Sequence, residues 1–312
     1  MRPSRLALLA VVLLLTVGGC ATHSSFAPAA GSWIDPAATA SGPLLFISDL
    51  GDYSVDVYSI PNLKLVEKIR GFNEPEGECS DAHGNVWIVN EDPQEILEFK
   101  PGSKSPIATL DDPTGSPVAC AVNLHDGDLA VTNVFNGSGP GGVLVYKGAR
   151  GTPRAYLNPN QFYYYFAGYD AHGNLYASGL TSKNTYSLSL LRAGAQSMSS
   201  ISISGGTLYF PGAVFFSGPT IVLGDQQCGN KKTSCLYEAT VTGKTATIAR
   251  TIPLTGSCDV AQVALSGSQI FAGDACPHHD SRSQGWSFPG GGKPFASSTG
   301  VTNPIGAAVS GS

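Results

Sequence analysis

Apolar and polar residues alternate in short runs along most of this chain, and each run stops at a cluster of Gly, Asp, Asn or Pro. Val86-Trp87-Ile88-Val89-Asn90, Leu129-Ala130-Val131-Thr132-Asn133 and Leu175-Tyr176-Ala177-Ser178 are three such runs. Their length and alternation predict strands, and the clusters between them predict tight turns. The turn itself repeats. Asp81-Ala82-His83-Gly84-Asn85 leads into the first run, Asn123-Leu124-His125-Asp126-Gly127-Asp128 into the second and Asp170-Ala171-His172-Gly173-Asn174 into the third, at spacings of 42 and 47 residues. Aligned on this turn, six preceding strands begin near Pro75, Pro117, Tyr163, Phe210, Cys258 and Pro304, at intervals of 42, 46, 47, 48 and 46 residues. The strands after the turn are Val86–Asn90, Leu129–Asn133, Leu175–Ser178, Thr220–Gly224 and Gln269–Gly273, with Leu44–Ser48 as a sixth at the front. Third and fourth strands follow, as in Glu95–Lys100 with Ile107–Leu110. A strand-only unit of this period predicts an all-β, six-bladed β-propeller with four-stranded blades, spanning residues 43–312.

The two ends of that span are complementary. The front supplies Leu44–Ser48, Ser54–Ser59 and Leu65–Ile69 without a preceding first strand. The tail, Asn303-Pro304-Ile305-Gly306-Ala307-Ala308-Val309, is a first strand with nothing after it and matches Ser116-Pro117-Val118-Ala119-Cys120-Ala121-Val122. The tail is therefore expected to complete the N-terminal blade, which removes two open sheet edges.

Composition agrees. Only 13% of residues are charged, and Gly (38) and Pro (21) are abundant, which suits short strands and turns better than long helices. Residues 1–19 read as an export signal: Arg2 and Arg5, then the apolar Leu6 to Leu15, then small residues. Val17-Gly18-Gly19-Cys20 resembles the lipobox of bacterial lipoproteins, which implies cleavage before Cys20, lipidation of its thiol and a place in the bacterial cell envelope, outside the cytoplasm. Residues 20–42, rich in Ala, Ser, Pro and Gly, read as a flexible tether to the membrane, in which Trp33 and Ile34 are candidates to dock on the body. Loss of residues 1–19 takes 18 basic residues to 16 against 23 acidic, a balance of −7 that excludes a non-specific nucleic-acid binder. A monomer is expected.

Six cysteines remain after Cys20. Cys258 and Cys276 lie symmetrically about Gly267, and Cys228 and Cys235 about Lys231–Lys232, as cross-strand neighbours in hairpins do. Cys79 and Cys120 fall on adjacent first strands. Three disulfides are expected: Cys258–Cys276, Cys228–Cys235 and Cys79–Cys120. The same hairpin logic sorts the polar residues. His83, His125 and His172 sit in the repeated turns on one face. On the other face, Asp49, Asp225 and Asp274 end second strands, with Asn90 and Asn133 as their equivalents, while Glu76, Glu78 and Asp259 enter first strands. Glu74, Glu76 and Glu78 would share one side of a strand. Such a ring of carboxylates and amides around a propeller mouth can hold Ca²⁺ or another divalent cation, which takes about six to eight oxygens. The aromatic run Phe162-Tyr163-Tyr164-Tyr165-Phe166 offers either inter-blade packing or a stacking platform for a sugar or another flat ligand.

The Asp-Ala-His-Gly-Asn turn followed by an apolar strand resembles the units of NHL-repeat and SMP-30/gluconolactonase-like propellers, and of the virginiamycin B lyase-like branch. The resemblance spans about residues 43–310. It implies an axial divalent cation, with Glu76 of Pro75-Glu76-Gly77 as a ligand. Pro117-Val118 and Pro304-Ile305 carry apolar residues at the equivalent step, and no Gly-x-Ser-x-Gly, phosphate-loop or His-Glu-x-x-His motif is present. Two functions follow. The first is a membrane-anchored binder of a protein or small ligand at an acidic mouth, without catalysis. The alternative is a metal-dependent lactonase-like hydrolase or lyase using Glu76 and Asp259.

Overall fold

A computed structural model describes residues 26–35, 42–231 and 233–311. The export signal, Cys20 and most of the tether lie outside them. The regular structure of the described chain is all strand apart from two short 3-10 turns, in consecutive antiparallel meanders. β1 (Trp33–Ile34) precedes the first, which comprises β2 (Leu44–Asp49), β3 (Ser54–Ser59) and β4 (Lys64–Arg70). The next holds β5 (Pro75–Ser80), β6 (Val86–Asn90), β7 (Glu95–Phe99) and β8 (Ala108–Asp111). Then come β9 (Pro117–Val122), β10 (Leu129–Asn136), β11 (Gly139–Tyr146) and β12 (Arg154–Tyr156). The fourth is β13 (Tyr163–Tyr169), β14 (Leu175–Leu180), β15 (Tyr186–Leu191) and β16 (Ser199–Ser204). The fifth is β17 (Pro211–Ser217), β18 (Thr220–Asp225), β19 (Cys235–Thr242) and β20 (Thr245–Pro253). The last is β21 (Ala264–Ser266), β22 (Gln269–Asp274), β23 (Arg282–Ser287) and β24 (Gly291–Thr299), followed by the tail strand β25 (Ala308–Ser310).

The tail does close the chain. β25 pairs antiparallel with β2, aligning Leu44, Leu45 and Phe46 with Ser310, Val309 and Ala308, and a bridge joins Asp49 to Pro304. Apolar clusters then run from meander to meander around the molecule. Val86 and Ile88 pack toward Phe46 and Val57, whereas their neighbours Trp87 and Val89 pack toward Val131 and Leu144. This period-two division explains why strands with both faces buried alternate at all. The last cluster brings Phe271 and Ala264 against Leu45, Ile47 and Tyr58, so the series returns to its start. The result is a β-propeller-like ring.

Two features depart from the sequence expectation. The fourth and fifth meanders merge into one eight-stranded sheet, because β16 and β20 pair in parallel at Ser202–Thr245, Ile203–Ala246 and Ser204–Thr247. The long β19–β20 hairpin carries its outer strand past its own blade to reach its neighbour's edge. The segment 26–35, read as tether, is docked. β1 adds to the edge of β4, opposite Glu67 and Lys68, and Phe26 stacks on Phe72 and Phe99 at centroid distances of 4.8 and 5.5 Å. Ring burial against an apolar cluster explains the docking.

All three expected disulfides form, with Cα–Cα distances of 5.6 Å (Cys79–Cys120), 5.5 Å (Cys228–Cys235) and 5.1 Å (Cys258–Cys276). They mark an oxidising, extracytoplasmic environment. No helix among the described residues is long and apolar enough to cross a membrane.

Candidate functional site

The repeated turns are built as their residues require. Asp81 Oδ1 accepts the N–H groups of His83 and Asn85, and Asp170 Oδ1 those of His172 and Asn174, at 2.8–2.9 Å. Gly84 and Gly173 supply φ of +81° and +74° at the step where a side chain would be strained. The three turn histidines are exposed.

On the opposite face the second strands end beside the entries of the first. Asp49 accepts backbone N–H groups from Thr302 and Asn303, Asp225 from Tyr209, Phe210 and Gln227, and Asp274 from Cys258 and Asp259. Asn90 Oδ1 accepts from Asn73, and Asn133 donates to Asp112. All five side chains are buried. These bonds tie the incoming chain to the sheet, and Asn133 Oδ1 is buried without a partner. Cys258, Asp274 and Cys276 are close enough for a metal, but both sulfurs are in the disulfide and Asp274 is engaged by backbone.

A bulge follows three of these entries, between Pro75 and Glu78, after Pro117 and between Pro211 and Val214. The first breaks the alternation expected for Glu74, Glu76 and Glu78 and sends them to different places. Glu74, outside the strand at φ +64°, is exposed. Glu76 is half-buried in an axial mouth of about 250 Å³ walled by Val118, Tyr165, Phe210 and Ile305, with Asp259 exposed at its rim. Tyr165 and Phe210 meet edge to face at 5.4 Å. Burial, reinforced by the charges of Glu91 and Glu74, pushes the Glu76 carboxyl up to about 8. Loss of water on its inner side, and Asp274 beside it, push Asp259 up to about 6. Neither carboxylate has a hydrogen-bond partner among the described residues.

Glu78 lies deeper, 1% exposed. Its Oε1 accepts from Ser48 Oγ at 2.7 Å, and burial raises the carboxyl to about 8 against the lowering pull of the Ser48 hydroxyl and the Ala308 N–H. Gln262 locks the axis beside it. Its Oε1 accepts from the N–H groups of Glu78 and Ala307, and its Nε2 donates to the Glu78 carbonyl at 2.6 Å. Glu78 and Gln262 line a second axial cavity of about 260 Å³ on the turn side. Sequence reasoning missed Gln262; its signal was one polar residue inside the apolar run Val260–Leu265.

Ca²⁺ takes about six to eight oxygens, and the polar side chains of the mouth are Glu76 and Asp259 with the amides Gln226 and Asn303. Glu76 and Asp259 are the unpartnered carboxylates at the mouth, and the equivalent positions across the axis are Val118 and Ile305.

No family model matches the chain, and no curated protein matches it. Solved structures do. A chain from a nidogen/laminin complex has a TM-score of 0.66 at 12% identity, covering 86% of this chain and 98% of its own. A protein of unknown function from Bacteroides caccae has a TM-score of 0.64 at 12% identity, covering 87% and 100%. A functionally unknown protein from Desulfotomaculum acetoxidans has a TM-score of 0.58 at 11% identity, covering 86% and 98%. At these identities the likeness shows the fold alone.

Proposed function

We propose that the chain is a six-bladed propeller, its eight-stranded sheet counting as two blades, held in the cell envelope by a lipid on Cys20. We read it as a member of the NHL and SMP-30-like superfamily that binds rather than catalyses. Its axial mouth takes a cationic group, presented by a protein partner or a small ligand. The observation that carries this reading is the pair of unpartnered carboxyls, Glu76 and Asp259, in a mouth whose walls include Val118, Tyr165, Phe210 and Ile305 beside the amides Gln226 and Asn303. An ammonium or guanidinium group needs one or two carboxylates and an aromatic face, whereas a metal ion needs a full oxygen shell. A cation also relieves the repulsion among Glu76, Glu91 and Glu74. That one similar fold was solved in a protein complex favours a protein partner.

Calorimetric titration of the intact chain in detergent with n-butylamine, tetramethylammonium and Ca²⁺ tests this. Organic cations should bind, more tightly at pH 9 than at pH 6 because Glu76 must ionise, and Glu76→Gln should abolish binding. Tight Ca²⁺ binding lost in Glu76→Gln would instead favour the metal-dependent lactonase-like or lyase-like enzyme, which rests on Glu76 at its strand start. Cys20→Ser should move the protein from the membrane to the soluble fraction.

A further inference from the structure

A second cleft lies off the axis, on the same face as the mouth, between the third and fourth meanders. Its volume is about 580 Å³, more than twice that of the mouth, and Leu157, Asn158, Gln161, Phe162, Thr181 and Lys183 line it. Small-molecule sites typically measure about 300–1,000 Å³.

The cleft occurs where the repeat breaks its own rule. In four meanders the first strand opens on Pro opposite an Asp or Asn at the end of the second: Pro304 and Asp49, Pro75 and Asn90, Pro117 and Asn133, Pro211 and Asp225. In the fourth meander Tyr163 faces Leu180. No carboxylate draws the incoming chain down here. An amide network holds it instead. Asn158 Nδ2 donates to Ser189 Oγ at 2.7 Å and to Ser200 Oγ at 3.0 Å, and Ser189 Oγ donates to Gln161 Oε1 at 2.7 Å. Gln161 is 3% exposed, and its Nε2 is buried without an acceptor. A buried amide N–H without a partner is rare in a finished interior and calls for one.

The lining fixes the chemistry of what would supply it. It carries no carboxylate, and its one charged residue, Lys183, is exposed. Amide and hydroxyl side chains both donate and accept, as sugar hydroxyls do. The half-buried Phe162 ring, flanked by Pro140 and Pro159, adds a flat apolar surface that suits the C–H face of a pyranose. We propose that this cleft binds a neutral saccharide, with Gln161 as a hydrogen-bond donor to it and Phe162 as its stacking face.

Saturation-transfer NMR and calorimetry on the intact chain test the proposal. The probes are glucose, galactose, mannose, N-acetylglucosamine and their β-1,4-linked dimers, with adenosine and inorganic phosphate as contrasts. At least one saccharide should bind saturably. Leu157→Arg, at a 50% exposed position, should weaken it at least about tenfold with unchanged thermal unfolding, Gln161→Ala should weaken it as much while also lowering Tm because Ser189 loses its acceptor, and Glu76→Gln should leave it intact. If Gln161→Ala fails to fold, Leu157→Arg decides alone. The proposal is overturned if no saccharide binds, if Leu157→Arg binds like the wild type, or if only adenosine or phosphate binds.

Discussion

Replacing Glu78 by Gln should stabilise the protein at alkaline pH and do little in acid. The folded state holds the Glu78 carboxyl at about 8 against an ordinary 4.5. Between those values the folded chain keeps a proton that the unfolded chain has released. Stability therefore falls as pH rises through the window, the loss being absent below 4.5 and complete above about 8. At about 1.36 kcal/mol per pH unit, the full shift corresponds to about 5 kcal/mol as a ceiling, because relaxation and water entry reduce it. Gln preserves the shape of the side chain and can still accept from Ser48. Urea midpoints for both proteins, measured from pH 4.5 to 9, should converge near pH 5 and separate by about 3–5 kcal/mol in favour of Glu78→Gln by pH 9. Glu76, at about 8, and Glu67, at about 7, add slope to both curves, so only the difference reports Glu78. Parallel curves would show that Glu78 is not held in a dry site and would refute the packed axis beside Gln262.

Other outcomes test the supports of the ring. Asp225→Ala strands the N–H groups of Tyr209, Phe210 and Gln227 and should cost about 2–4 kcal/mol in a denaturant titration. Asp49→Ala, which leaves Thr302 and Asn303 without their acceptor, should loosen the tail and lower Tm, and hydrogen exchange at those two amides should rise. Joint replacement of Cys79 and Cys120 by Ala opens a 41-residue loop and should cost about 4 kcal/mol. Reductant, which also opens Cys228–Cys235 and Cys258–Cys276, should lower the wild-type midpoint at least as far.

The turn repeat and the complementary ends were legible because both are local patterns at a fixed period. Asp81 and Asp170 fold their own turns, and the tail copies the run around Pro117. The disulfides were legible because hairpin symmetry and blade equivalence constrain Cα distances. The destinations of the acidic residues were not. Whether a strand-end aspartate turns toward solvent or back to the entering chain depends on the path of that chain, as at Asp49 and Asp274, and spacing does not announce it. A bulge separates Glu76 from Glu78. The pairing of Ser202–Ser204 with Thr245–Thr247 joins outer edges far apart in sequence without any turn between them. Trp33 and Ile34 stand out as apolar residues in the tether and do dock, whereas the docking of Phe26 leaves no pattern to detect.

Closure of the ring depends on the tail. β25 supplies the innermost strand of the first meander, and Ala308 and Val309 are each 4% exposed within two different apolar clusters. Urea unfolding of the chain truncated after Thr302, compared with the full chain, is the most direct measurement. Loss of the cooperative transition, or a midpoint lower by several kcal/mol together with loss of n-butylamine binding, is the predicted result. An unchanged midpoint with binding intact would mean that the ring closes without its tail and that the mouth is not built as described.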